Sequence, residues 1–135
     1  MASFEDIRND FEFLDEWDDR YKYLIDLGRN LEPYPEAYRD DAHKVRGCAS
    51  QVWLHAEADG GAIVLQGDSD AHIVKGLVAL LMALYSGKSA NDILNTDPEA
   101  ELAAFDLTDH LTPQRSNGLH SMIGRIREIA KTQAA

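Results

Sequence analysis

Gln51-Val52-Trp53-Leu54-His55-Ala56-Glu57-Ala58 alternates. Val52, Leu54, Ala56 and Ala58 fall on one side of an extended chain, and Gln51, Trp53, His55 and Glu57 on the other, so the period of two predicts a strand. Asp59-Gly60-Gly61 is a hairpin signal, and Ala62-Ile63-Val64-Leu65-Gln66 follows as the return strand. Gly67-Asp68-Ser69-Asp70 is expected to break that strand and to offer Ser69 or Asp70 as the N-cap of a helix running to Ser86, with Gly87 beyond its end. Upstream, Lys44-Val45 is expected to add a short third strand.

The helix after the hairpin is apolar nearly all round. Ile73, Val74, Leu77, Val78, Leu80, Leu81, Met82, Leu84 and Tyr85 imply burial on several sides. A bilayer span needs about 20 apolar residues, and His72 and Lys75 interrupt too early. Toward the N-terminus, Ser3 with Asp6 reads as a capping pair for an amphipathic helix carrying Phe4, Ile7, Phe11 and Leu14. Trp17, Tyr21, Leu24 and Gly28 repeat the period in a second helix, which Gly28 is expected to end, and Pro33 and Pro35 enforce an extended loop. Toward the C-terminus, Ser89 with Asp92 and then Asp97-Pro98 start two short helices. Thr112-Pro113 starts the last helix, with Leu119, Met122, Ile123, Ile126 and Ile129 inside and Arg125, Arg127 and Lys131 outside. Helices, a small antiparallel sheet and further helices make the fold class α+β, in a single domain over residues 1–135.

The chain has 135 residues and a formal charge of -11, with 13 Lys and Arg against 24 Asp and Glu. Such a charge repels phosphate backbones and anionic lipid, which argues against nucleic acid and membrane partners. Residues 1–42 hold 13 of the acids and 5 of the bases, a wet acidic surface. The first twenty residues carry eight acids and two bases, the opposite of a signal or transit sequence, so the expected compartment is a reducing cytoplasm.

Cys48 is the sole cysteine. One thiol excludes an internal disulfide, a CxxC oxidoreductase and an iron–sulfur cluster held within the chain. Gly47 permits a turn beside it, and Ala49 and Ser50 add little bulk, so another macromolecule's active site has room to approach the sulfur. Lys44 and Arg46 are the nearby cations that favour thiolate. The hairpin returns Asp68 to Asp70 beside Ser50 and Gln51 and brings the start of the central helix near Cys48. Its free N–H groups would stabilise a sulfur anion while Asp68 and Asp70 would oppose it, and the sequence leaves the net sign open. His43, His55, His72, His110 and His120 form no metal-binding spacing, so no metal site is expected, although a mixed set of His43, Cys48 and His55 is conceivable. A self-contained Cys-His thiol hydrolase, with His43, His55, His72 or His110 as base, is the alternative function.

Four ordered segments resemble the SufE family of cysteine desulfuration proteins. They are Arg46-Gly47-Cys48-Ala49-Ser50-Gln51-Val52-Trp53-Leu54, Gly67-Asp68-Ser69-Asp70-Ala71, Ile73-Val74-Lys75-Gly76-Leu77 and Leu111-Thr112-Pro113-Gln114-Arg115-Ser116-Asn117-Gly118-Leu119. The resemblance implies an antiparallel sheet flanked by helices, similar to IscU-type scaffolds, with the cysteine on a loop. It implies that Cys48 takes sulfane sulfur from the persulfide of a pyridoxal-phosphate cysteine desulfurase, stimulates that enzyme and passes the sulfur to an iron–sulfur cluster scaffold. The pyridoxal phosphate is the partner's, and no cofactor is expected here. Arg46, Gly47, Ser50, Gln51, Asp68, Asp70 and Arg115 match the family pattern around Cys48 as supporting residues. The SufE-type and CsdE-type branches are not separated by these motifs.

Overall fold

The structure is a computed structural model and describes residues 3–134. It begins with two helices, α1 (Phe4–Glu12) and α2 (Trp17–Arg29). Ser3 Oγ accepts the Asp6 N–H at 3.1 Å and so caps α1, whose first-turn Glu5 and Asp6 suit the positive end of the helix dipole. Ile7 and Phe11 are wholly buried, and Phe11 packs on Phe105 with ring centroids 4.9 Å apart. Two short 3-10 turns, Glu36–Tyr38 and Asp41–His43, shape the proline-containing loop that leads to the hairpin.

The hairpin is β1 (Val52–Asp59) and β2 (Ala62–Ser69), an antiparallel pair closed by Gly60 and Gly61. Both glycines have positive φ (58° and 90°), which a tight two-residue loop demands. The fold is therefore α+β around a two-stranded antiparallel sheet. Three helices follow closely on one another after the long central helix α3 (His72–Tyr85): α4 (Ala90–Asn95), α5 (Pro98–Leu102) and α6 (Leu107–His110). The last element, α7 (Pro113–Ala134), starts where Thr112 Oγ1 accepts the Arg115 N–H at 3.3 Å. Leu77 to Leu81 of α3 are all wholly buried, so α3 is the centre of the core, covered by α2, the hairpin and α7.

Four expectations are corrected here. The return strand does not stop at Gln66 but runs through Gly67 and Asp68 to Ser69, because Gly67 pairs with Leu54 as an ordinary strand residue. A Cβ on Gly67 would lie 2.6 Å from Val78 Cγ1 and 2.9 Å from Leu54 Cδ2, so the glycine lets α3 press onto the hairpin rather than breaking it. Neither Ser69 nor Asp70 caps α3, whose N-cap position is Ala71 without a side-chain bond. Ser69 Oγ instead accepts the Ala71 N–H at 3.2 Å, and Asp70 exchanges hydrogen bonds with the Gln51 backbone across the open end of the hairpin. Gly28 does not end α2, which continues to Arg29. A Cβ there would sit 2.7 Å from the Gly76 nitrogen, and one on Gly76 would overlap the Leu24 carbonyl oxygen, so the pair is the close crossing of α2 and α3. Lys44-Val45 makes only an isolated bridge to Trp53 and one bond from the Val45 N–H to the Val52 carbonyl at 2.8 Å before the chain turns away.

The first half of β1 is buried on both faces, which alternation alone does not foresee. The proline-containing loop covers the second face: the Arg39 guanidinium lies 4.8 Å from the Trp53 ring centroid, and Tyr38 stacks on His55 at 3.7 Å.

Candidate functional site

Everything around Cys48 depends on how the loop before β1 is seated on α7. Gly47 has φ 87°, and a Cβ there would stand 2.6 Å from Ser121 Oγ. Only glycine satisfies both the left-handed backbone and the close approach. The next residue is thereby pressed against α7, where the Cys48 thiol donates to the Gly118 carbonyl at 3.6 Å. Gly118 is buried, and a Cβ on it would just reach Sγ at 3.6 Å, an ordinary contact distance, so the bare backbone leaves the sulfur's flank open.

Cys48, Ala49 and Ser50 line one wall of a pocket of about 210 Å³. Val74 and Leu77 of α3 form a second wall, and Thr112, Gln114, Arg115, Gly118 and Met122 a third. Pockets for small-molecule substrates run to about 300–1,000 Å³, so this one suits the tip of a side chain better than a whole metabolite. Cys48 itself is half-buried.

Burial pushes the Cys48 thiol up from its ordinary pKa. The bond to Gly118 acts in the same direction, since only the protonated sulfur can donate it. The sign left open by the sequence is thus decided toward a neutral resting thiol. Neither nearby cation is set against the sulfur: Lys44 Nζ is 3.9 Å from Asp41 Oδ1, and Arg46 lines a different hollow. The one hydrogen bond of Sγ among the described residues goes to a helix carbonyl and not to an N–H of α3.

The supporting residues separate into groups. Ser50 and Arg115 share the Cys48 pocket, and Gly47 sets the loop. Gln51 and Asp70 are joined to each other, 3.0 Å from the Gln51 nitrogen to Asp70 Oδ1. Asp68 is held by Arg39 Nη2 at 2.8 Å and Lys75 Nζ at 3.3 Å. Burial would raise its pKa, but Arg39, the Ser69 N–H and Lys75 outweigh burial and hold the carboxyl below its usual range. It serves there as an anchor between the proline-containing loop, the hairpin and α3. Gly118, Ser121 and Arg39 were not singled out from sequence. Gly118 stood inside the last family-like segment, but the 70 residues separating it from Cys48 concealed the contact.

No histidine lines the Cys48 pocket among the described residues. His43 pairs with Asp40 at 2.7 Å and His55 with Glu57 at 3.1 Å, and both line another hollow in which Cys48 takes no part. His110 stacks on Trp17. No helix among the described residues is long and apolar enough to cross a membrane.

The family model for SufE, described as the Fe-S metabolism associated domain, matches residues 5–130. This chain belongs to the SufE family. A SufE-like protein of Rhizobium meliloti is 50% identical over 135 residues, covering 97% of this chain and 96% of the relative. A SufE-like protein of Rhizobium etli is 50% identical over 139 residues, covering 100% of this chain and 94% of the relative. The solution structure of a hypothetical protein from Thermus thermophilus shares the SufE-like fold with a TM-score of 0.78 at 22% identity, across 99% of this chain and 98% of that one. Its SufE membership gives the chain a role in the sulfur transfer of iron–sulfur metabolism.

Proposed function

We propose that this SufE-family protein accepts sulfane sulfur on Cys48 from the persulfide of a pyridoxal-phosphate cysteine desulfurase, thereby stimulates that enzyme, and passes the sulfur to an iron–sulfur scaffold in the cytoplasm. The observation that carries this reading is the setting of the single thiol: half-buried, against the bare backbone of Gly118, in a pocket that admits a side-chain tip. A partner cysteine bearing sulfur fits such a space, whereas a Cys-His hydrolase needs a base, and no histidine lines the pocket among the described residues.

The exchange balances without an outside oxidant. Cys48 Sγ attacks the outer sulfur of the donor's Cys–S–SH. The donor's S–S bond breaks as the new one forms on Cys48, and the donor leaves as a thiolate that takes up the proton lost by Cys48. No second thiol in the chain can attack the carried persulfide and release it as sulfide. Gly47 and Gly118 hold the nucleophile in place. Arg115, half-buried in the same pocket, is the cation available to the sulfur as negative charge develops.

Intact-protein mass after incubation with desulfurase and cysteine tests the proposal. The expected result is a gain of one or more sulfur atoms, reversed by a thiol reductant and lost in Cys48→Ser. Loading of the serine variant, or unchanged desulfurase turnover when the chain is added, overturns it.

A further inference from the structure

In a chain of charge -11, four of the 13 cations line one hollow. Arg46, Arg125, Arg127 and Lys131 surround a space of about 600 Å³, with Glu128 as the one acid in its wall among the described residues. Of the other nine, Arg8, Arg29, Arg39, Lys44 and Lys75 pair with carboxylates, and Arg20 donates to the Leu14 and Phe11 carbonyls. None of the four makes an ion pair among the described residues. Arg125 and Arg127 are steadied by backbone carbonyls, of Ala42 at 2.9 Å and Thr96 at 3.3 Å, rather than by carboxylates. Arg46 and Lys131 are exposed and make no hydrogen bond with another described side chain.

The hollow and the Cys48 pocket are two sides of one seam. Val45 and Arg46 line the hollow and Cys48 to Ser50 line the pocket, with Gly47 between them against Ser121 of α7. A protein whose cysteine reaches Cys48 covers surface next to this loop, and the hollow begins two residues away, at Arg46. Its positive field contrasts with the acidic α1 and α2 segment, so an acidic partner surface is attracted here and repelled there, which orients the encounter. Nucleic acid carries the right sign, but the net charge of the chain opposes a long polyanion.

We infer that the hollow formed by Arg46, Arg125, Arg127 and Lys131 is the docking site for an acidic surface segment of the sulfur-donating protein. The inference rests on the sulfur-acceptor reading and extends it to the partner's chemistry. Uptake precedes delivery, so the partner that must recognise the chain with a bare Cys48 thiol is the donor.

Sulfur uptake from the desulfurase of the same genome, measured against chain concentration at low salt and at about 0.5 M salt, tests the assignment. Arg46→Glu with Lys131→Glu is compared with Arg46→Lys with Lys131→Arg. Charge reversal is expected to raise the half-saturating chain concentration about tenfold at low salt, and less than about twofold at high salt, while the charge-keeping pair stays near the parent protein. A polyglutamate peptide should inhibit uptake at low salt and lose that effect at about 0.5 M salt, where an uncharged polyglutamine peptide inhibits at neither. Alkylation of Cys48 by an uncharged reagent should proceed at the same rate in all forms, which separates docking from thiol chemistry and checks that the loop is still folded. If the parent protein loads and charge reversal leaves half-saturation unaltered, the docking site is refuted and the sulfur-acceptor reading survives. If the parent protein does not load, that reading fails and the docking site falls with it. Equal slowing of alkylation and uptake overturns docking in favour of an effect on the thiol. A defect confined to delivery onto a scaffold overturns the donor as occupant.

Discussion

The thiol of Cys48 and the carbonyl of Gly118 meet at 3.6 Å, a bond between a loop residue and a helix backbone 70 positions later. A sulfur held this way rests as the neutral thiol, because thiolate has no proton to donate and would face a carbonyl oxygen. Protection between transfers follows, since the thiolate is the form that oxidises and alkylates.

The pH dependence of Cys48 has a definite sign. Burial raises the folded-state pKa above the unfolded value, so the stability this thiol contributes is fully present below the unfolded pKa, about 8.5, and is lost as pH rises through the folded one. The alkylation midpoint in the native chain should lie above that in the urea-unfolded chain. Denaturation between pH 8 and pH 10, taken as about the window of interest, should lose stability faster in the parent than in Cys48→Ser.

At Gly118 a methyl group just reaches Sγ. Gly118→Ala should therefore fold and gain about 0.5–1 kcal/mol from helix propensity. Alkylation by bulky reagents and sulfur uptake should slow together, because the added methyl narrows the pocket on the nucleophile. Melting temperature with paired alkylation rates checks both halves.

Gly47→Ala meets two obstacles, a positive φ and the Ser121 hydroxyl at 2.6 Å. A loss of about 1–2 kcal/mol in urea unfolding is expected. Adding Ser121→Gly should recover the steric part and leave the backbone part.

Asp68 is the acid whose pairing joins three elements. Its folded-state pKa is depressed, so its contribution is present above the unfolded value of about 3.9 and lost as pH falls through the folded one. Asp68→Asn should cost about 1–2 kcal/mol at neutral pH, a figure reduced because Arg39 and Lys75 are partly in solvent. The variant should show a flatter stability profile below pH 4, about where the parent begins to lose the pairs.

The local elements of this protein were legible in its sequence because their signals act over a few residues. Period-two alternation marked β1, Asp59-Gly60-Gly61 marked the turn, and Ser3 and Thr112-Pro113 marked helix starts. Cys48, alone among thiols and set between small residues, was a candidate on chemistry, and ordered motifs along the chain pointed to the family now shown by the match over residues 5–130.

Glycine meaning was decided only by tertiary structure. Gly28 and Gly67 look like terminators in one dimension, yet each is the place where α3 comes too close for a Cβ. Electrostatics shared that fate. Arg46 stands two residues from Cys48 and lines another hollow, while Arg115, 67 residues from it, lines the sulfur's pocket. A helix propensity or a strand period is a property of neighbouring residues, but the charge and volume around one sulfur are sums over whatever the fold brings near, and the packing of α7 against the Gly47 loop set both.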